Sequence, residues 1–316
     1  MKQQKPLIII GAHRSGTTFT GNMISLSDEV CYIRDPFAKY RRAGLFQLRP
    51  KNFFTYITDV NGNEYHQAFQ RMIQFKYSLF KELSFIKKSI DIKPLFGDIF
   101  RFKVAKLKNK RALLKAATAL FSTEWLQKNF DFRVLALIRH PAAFISSLKR
   151  LEITHPFVEF VNQPLLMKDH LQQFESKINE YSQLQLKAGH TQTPDIIDQG
   201  ILLWNIIYSF MLKMREKHPE WLMLNHENIS FDPIANFEKI YKHFQLNFTD
   251  GIKTKIIDYT SQSNPSEAVK GKWNSLKRNS SQNVKNWKHR LSPEEISKIY
   301  DGTNEIAKYF YNSEDW

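Results

Sequence analysis

Residues 7–24 read "LIIIGAHRSGTTFTGNMI". Four aliphatic residues meet Gly11, a second glycine follows at Gly16, and apolar residues then recur at helical spacing at 19, 23, 24 and 26. A short aliphatic run of this kind fits a buried parallel strand. Strand, G-x-x-x-x-G turn and helix in that order make the frame of a phosphate-binding loop. The end amides of the helix lack partners and the dipole is positive there. Backbone amides from Ser15 through Gly16 and Thr17 to Thr18 are therefore placed to cradle an oxyanion. Nucleotide hydrolases of this layout carry lysine after the second glycine, and here that position is Thr17. The cation comes from Arg14, before Gly16. The loop is predicted to hold an anion without the usual apparatus for a metal-bound triphosphate.

The remaining chain alternates strand and helix patterns. "VCYIR" (30–34), "ALLK" (112–115), "RVLALIR" (133–139) and "WLMLN" (221–225) read as strands. Helices are expected over 65–95, 119–130, 165–188, 195–217 and from 234, where Ile234, Phe237, Ile240, Tyr241 and Phe244 share a face. Ser292 and Pro293 open a closing helix with two glutamates in its first turn. Alternation of this kind predicts an α/β fold of the P-loop type. It has three layers, a central mostly parallel sheet flanked by helices. The reading is one domain over 1–316, with helical insertions at roughly 50–110 and 151–200.

Composition narrows the partner. The formal charge of the 316 residues is +15, which calls for an anionic partner or a solvated basic surface. "RFKVAKLKNKR" (101–111) is the densest basic stretch and suits nucleic acid, lipid headgroups or an acidic glycan. No apolar run approaches the ~18–20 residues that cross a bilayer. "MKQQKP" precedes only four aliphatics, short of a ~7–15-residue signal core. The single cysteine, Cys31, fits a reducing cytoplasm. The expected location is cytoplasmic, with peripheral contact to a membrane left open.

"RSGTT" after a first strand resembles the 5′-phosphosulfate loop of the sulfotransferases, and "HRSGTT" resembles a bacterial branch of them. Those enzymes use 3′-phosphoadenosine 5′-phosphosulfate (PAPS). "VLALIRHPAAFISSLKR" (134–150) resembles their 3′-phosphate motif, which would give Arg139 and Ser147 to that phosphate. The physical reading agrees. Ligands bind at the carboxyl ends of parallel strands, and an arginine fork matches phosphate geometry. "SLKRNSS" (275–281) lies where the family often places a basic residue near the same phosphate, so Arg278 and Ser280 are candidates. "HENI" (226–229) stands where the family usually has a Tyr-Glu-Asp-Leu box, and the tyrosine is replaced by His226.

Sulfuryl transfer needs a base, an aligned acceptor oxygen and fixed positive charge where negative charge builds. By resemblance, Arg14 and Lys115 supply the charge. The chain departs from the bacterial pattern after Lys115, with Ala116-Ala117 in place of Asp-Pro. "YIRDPF" (32–37) resembles a segment whose glutamate is the base, which makes Asp35 the catalytic candidate here; His13 is the alternative. No metal-ligand spacing is present, and no metal is expected. The expected partners are the anionic nucleotide cofactor and an acceptor, read as a glycan or glycolipid from Phe53, Tyr56, Tyr65, Arg101 and Lys103. Two other readings compete: a P-loop kinase or NTPase, and an anion- or nucleic-acid-binding protein on the same fold, nucleic acid being the less favoured partner.

Overall fold

Leu7 to Ile10 are fully shielded from solvent and form the middle strand of a five-stranded sheet. The structure is a computed structural model that describes residues 5–38, 44–46, 48, 50–78, 80, 92–187, 194–265 and 277–316. The principal elements along the chain are β1 (Leu7–Gly11), α1 (Thr17–Ile24), β2 (Val30–Arg34), α2 (Asn63–Ile73), α3 (Ile92–Leu107) and β3 (Arg111–Lys115). Next come α4 (Thr123–Phe130), β4 (Arg133–Ile138), α5 (Pro141–Leu151), α6 (Glu175–Lys187) and α7 (Ile196–Lys217). The last are β5 (Leu222–Asn225), α8 (His226–Phe231), α9 (Pro233–Phe244), α10 (Asp250–Thr260) and α11 (Pro293–Ala307). The strands form a parallel sheet in the order β2-β3-β1-β4-β5, flanked by helices. Strands covered on both faces read as unbroken aliphatic runs, and β1 and β3 are buried along their whole length.

The chain divides into two compact units. One comprises Met1–Gly11, Thr17–Ala136 and Ile240–Phe248. Its sheet register sets Leu7 beside Leu113, Ile9 beside Lys115 and Arg34 beside Lys115. An aromatic cluster of Phe37, Phe46, Phe69, Trp125 and Phe130 packs its helical layer. Buried polar groups tie distant segments together. The Tyr241 hydroxyl donates to the Met23 carbonyl at 2.9 Å, and Arg111 donates to the Lys5 carbonyl at 2.8 Å.

The other unit comprises Ala12–Gly16, Leu137–Lys239 and Thr249–Trp316. Helix α7 is its axis. Leu203, Trp204, Ile206, Ile207, Tyr208 and Phe210 are all buried, so the helix is apolar on most sides and packs against both α5 and α11. Asp195 caps α7 through the Ile197 amide. Ser292 and Glu295 close a reciprocal capping box on α11, as the "LSPEE" sequence predicts.

Three helix boundaries depart from the sequence pattern. The helix expected over 65–95 stops at Ile73. Phe75 takes φ +55°, the Phe75 amide donates to Met72 and the Lys76 amide to Arg71. That is a Schellman ending without glycine at its left-handed position, which hides it from sequence. Part of the expected segment, 79 and 81–91, lies outside the described residues. The helix expected from 119 begins as a 3-10 turn, Ala117–Ser122, before α4. The helix expected over 165–188 passes through a π-turn, Met167–Leu171, and a 3-10 turn before α6.

Candidate active site

The loop after β1 turns through two left-handed residues, Arg14 (φ 69°) and Gly16 (φ 81°). The Ser15 amide donates to the Ala12 carbonyl at 3.2 Å and closes the turn. Gly16 has a second constraint. A Cβ there would lie 2.2 Å from Nδ1 of His226, the first residue of α8. Thr17 then begins α1, whose first turn carries no acidic residue to compete for an anion. Thr17 is buried and Thr18 half-buried.

The same unit as the loop holds the second phosphate candidate. Ser147 lies on the buried face of α5, and its Oγ accepts a hydrogen bond from Arg14 Nε at 3.0 Å. The Arg14 guanidinium therefore lies with Ser147. Its proton affinity is lowered first by partial burial, then by Arg150, Arg139 and Arg290. Three other guanidiniums of this unit thus act on Arg14. Arg290 ends the short helix Trp287–Arg290, which packs on α5.

Arg139 follows β4 and is held at every polar group of its backbone. Its amide donates to the Tyr208 hydroxyl at 2.9 Å, and its carbonyl accepts from Trp204 Nε1 at 3.0 Å. The Tyr208 hydroxyl also lies 3.3 Å from Ser15 Oγ, so one buried phenol joins the loop to the strand end. The Arg139 side chain faces Glu227, with Nε 3.4 Å from Oε1. Glu227 accepts in turn from the His140 amide at 3.2 Å and from the Tyr311 hydroxyl at 2.9 Å. Burial, and then Glu227, raises the Tyr311 phenol well above its usual range. His13 packs edge-on to Phe144 with ring centroids 5.4 Å apart. Ser280 is buried at the start of a short helix that packs on α8. Arg278 donates through its amide to the Tyr259 carbonyl and through Nη1 to the Lys277 carbonyl.

In the other unit the sheet register explains a different pair. Arg34 and Lys115 are register partners, and the ladder continues one step as the Asp35 amide donates to the Lys115 carbonyl at 2.7 Å. Asp35 then takes φ 44°, and its Oδ1 accepts from Lys115 Nζ at 2.6 Å. The lysine side chain is only 9% exposed and the aspartate 21%, so this is a largely desolvated ion pair. Oδ2 has Arg34 Nε at 3.7 Å. Of the residues expected to meet an acceptor, Arg101 bonds Asp98 and the Tyr32 carbonyl, and Tyr65 packs edge-on to Phe37.

His140 and His226 are both buried. His140 stacks on Trp287 at 5.1 Å and meets Tyr311 and Trp316 edge-on. Burial, then Arg139 and Lys288, lowers its pKa to about 3. Burial, then Arg139, also holds His226 well below its usual range. The unfolded chain binds more protons than the folded one wherever such a histidine stays neutral, so stability falls as pH drops. For His140 the window runs from 6.5 down to about 3. The loss there is about 1.4 kcal/mol per pH unit. Urea denaturation across that window should show a shallower acid slope for His140→Phe than for the native chain. An unchanged slope would contradict a neutral His140.

A family model described as a sulfotransferase domain matches residues 4–310. The chain belongs to the sulfotransferase family. Solved structures similar to it include the sulfotransferase domain from the curacin biosynthetic pathway, at 12% identity over 95% of this chain and 98% of that one, with a TM-score of 0.46. Another is the sulfotransferase domain from the Synechococcus PCC 7002 olefin synthase, at 13% identity over 99% of this chain and 97% of that one, with a TM-score of 0.46. A third is mouse sulfotransferase SULT7A1 complexed with PAP, at 12% identity over 100% of this chain and 88% of that one, with a TM-score of 0.44. A search of curated protein sequences returned no match.

Sequence reasoning missed several polar groups of this sulfotransferase. Arg150 and Arg290 are ordinary basic residues in sequence, 140 positions apart, and nothing local marks them as charges that act on Arg14. Glu227 and Tyr208 also went unassigned. A signal for Glu227 existed in "HENI", where the acid of the family box is kept. Tyr208 reads as one more core aromatic of α7. Among the described residues no group of three or more His, Cys, Asp or Glu side chains is arranged to hold a metal ion.

Proposed function

We propose that this chain transfers the sulfuryl group of PAPS to a hydroxyl of an acceptor, with a carbohydrate as the favoured acceptor class. The observation that carries the reading is the Arg14 Nε–Ser147 Oγ hydrogen bond at 3.0 Å, with the charges of Arg139, Arg150 and Arg290 acting on Arg14, in a chain of the sulfotransferase family. Positive charges that act on one guanidinium favour an anion bound beside it. A phosphate monoester brings about two negative charges and the acceptor oxygens that arginine forks match. The donor set therefore fits the 3′-phosphate of the cofactor.

Arg139 and Ser147 would hold that phosphate, with Arg14, Arg150 and Arg290 adding charge. The Ser15–Thr18 amides and the Thr17 and Thr18 hydroxyls would hold the 5′ end. When bound, PAPS supplies a sulfuryl group already joined to a phosphate leaving group. The work left to the chain is to orient, to exclude water and to move a proton. Asp35 takes the proton of the acceptor hydroxyl at Oδ2, because Oδ1 is engaged by Lys115. Lys115 fixes the carboxylate and supplies positive charge against developing negative charge. An in-line displacement would use Asp35 for the acceptor's proton and Lys115 for charge, with the phosphate of the donor as leaving group.

Release of adenosine 3′,5′-bisphosphate from PAPS, measured against a panel of carbohydrate acceptors, tests this reading. Asp35→Asn is expected to lower turnover by roughly 10²–10⁴-fold while bisphosphate affinity is retained. Turnover by Asp35→Asn at the native rate would remove the carboxylate from the mechanism. No release with any acceptor, by a chain that binds the bisphosphate, would leave the acceptor class wrong.

A further inference from the structure

Helix α3 packs on β2 with one face and carries an apolar ridge on the opposite one. Phe102 and Ala105 are buried, each 1% exposed. At 100° per residue, Phe96, Phe100 and Leu107 fall on a single stripe about 40° wide, roughly opposite that buried pair. The three are 65%, 70% and 85% exposed. Large apolar side chains lined up in water are disfavoured and mark a contact surface. The ridge runs about 16 Å along the helix at its usual rise per residue.

Cations flank it on both sides. Arg101, Lys103, Lys106, Lys108 and Lys110 lie along the same helix and the turn after it, against Asp98 as the single acid of 96–110. Lys103, Lys106 and Lys108 are exposed, while Arg101 is drawn to Asp98. An open groove of about 480 Å³ borders the ridge. Cys31, Tyr32, Phe100 and Val104 give it apolar walls, and Arg101 and Lys110 stand at it as cations.

We propose that this face of α3 docks on an anionic lipid bilayer, with Phe96, Phe100 and Leu107 entering the headgroup region. Charge complementarity selects the occupant. A narrow convex ridge between long flexible lysines suits a fluid planar surface, where the side-chain stems lie against acyl chains and the ammonium groups reach phosphates. Duplex nucleic acid would satisfy the lysines but gain nothing from the phenylalanines.

Co-sedimentation of the full chain with phosphatidylcholine vesicles, with and without phosphatidylglycerol, tests it. Binding is expected only to the anionic vesicles and should weaken as salt rises. Each basic residue near such a surface contributes about 1 kcal/mol, so replacing Lys103, Lys106 and Lys108 by glutamine should weaken binding on the order of 100-fold. Phe96→Ser with Phe100→Ser should weaken it by at least about 10-fold while the melting temperature holds, since both side chains are exposed. Equal binding to neutral vesicles, or none to either, would overturn the proposal. So would full vesicle affinity in the double serine variant, because the contact would then be charge alone. A DNA oligomer that binds through the same lysines, with no vesicle binding, would overturn it as well.

Discussion

Arg139→Ala is expected to lose binding of adenosine 3′,5′-bisphosphate by roughly 10²–10³-fold, and stability by about 3 kcal/mol. The two losses have different causes. Binding falls because the guanidinium is a candidate partner of the 3′-phosphate. Stability falls because Glu227 is left as a largely buried carboxylate, with side-chain exposures of 11% and 14% in the native pair. The Tyr311 hydroxyl and the His140 amide would still donate to it, and this keeps the loss at the low end for a broken buried pair. Adding Glu227→Gln to Arg139→Ala should restore much of the stability, since the orphaned charge is gone. It should restore none of the binding. Denaturation curves and bisphosphate titrations of the three chains separate the effects. Native bisphosphate affinity in Arg139→Ala would remove Arg139 from the phosphate site.

Gly16→Ala is the second large effect, with an expected loss of about 2–5 kcal/mol and of anion binding at the loop. A left-handed conformation costs an L-residue about 1–2 kcal/mol, and Gly16 has φ 81°. The new methyl would also meet the imidazole of His226, at 2.2 Å from Nδ1 and 2.5 Å from Cε1. Forcing a methyl into a filled space adds about 1–3 kcal/mol. His226 is fully packed in, so it has little room to give. A double-mutant cycle isolates the contact. In a His226→Ala background, Gly16→Ala should cost only the backbone part, which gives a coupling of about 1–3 kcal/mol. Additive losses would mean that the loop and α8 are not in the contact described. The family tyrosine is absent here, and His226 fills the place against the loop.

The parts of this site that the sequence made legible are the local ones. Two glycines five apart after an aliphatic run define the loop, because strand, turn and helix start are each set by neighbouring residues. Arg139 before Pro141 is legible for the same reason: the proline marks the helix start and leaves the arginine at the strand end. The Asp35–Lys115 pair is different. Each residue is visible as the end of its own strand, but their meeting depends on the parallel register of β2 and β3, a pairing 80 residues apart that no local pattern encodes. The arginine group is less legible still, since Arg150 and Arg290 lie far along the chain from Arg14 and act on its charge only in the folded unit. Phe75 shows the limit of turn chemistry. A left-handed phenylalanine ends α2 where sequence rules look for glycine, so the helix was read through its own stop. The ridge on α3 was hidden by its basic neighbours, which made 101–111 read as a charge run and not as the flank of an apolar stripe.

The proposed 3′-phosphate site is Ser147 with Arg14, Arg139, Arg150 and Arg290. Calorimetric titration with adenosine 3′,5′-bisphosphate, adenosine 5′-monophosphate and ATP with Mg²⁺ tests it most directly, since the first two ligands differ only in that phosphate. Charge-assisted contacts of about 1.5–3 kcal/mol predict the bisphosphate to bind on the order of 100-fold more tightly than the monophosphate, and more tightly than Mg-ATP. Equal affinity for the bisphosphate and the monophosphate, or a preference for Mg-ATP, would contradict the account.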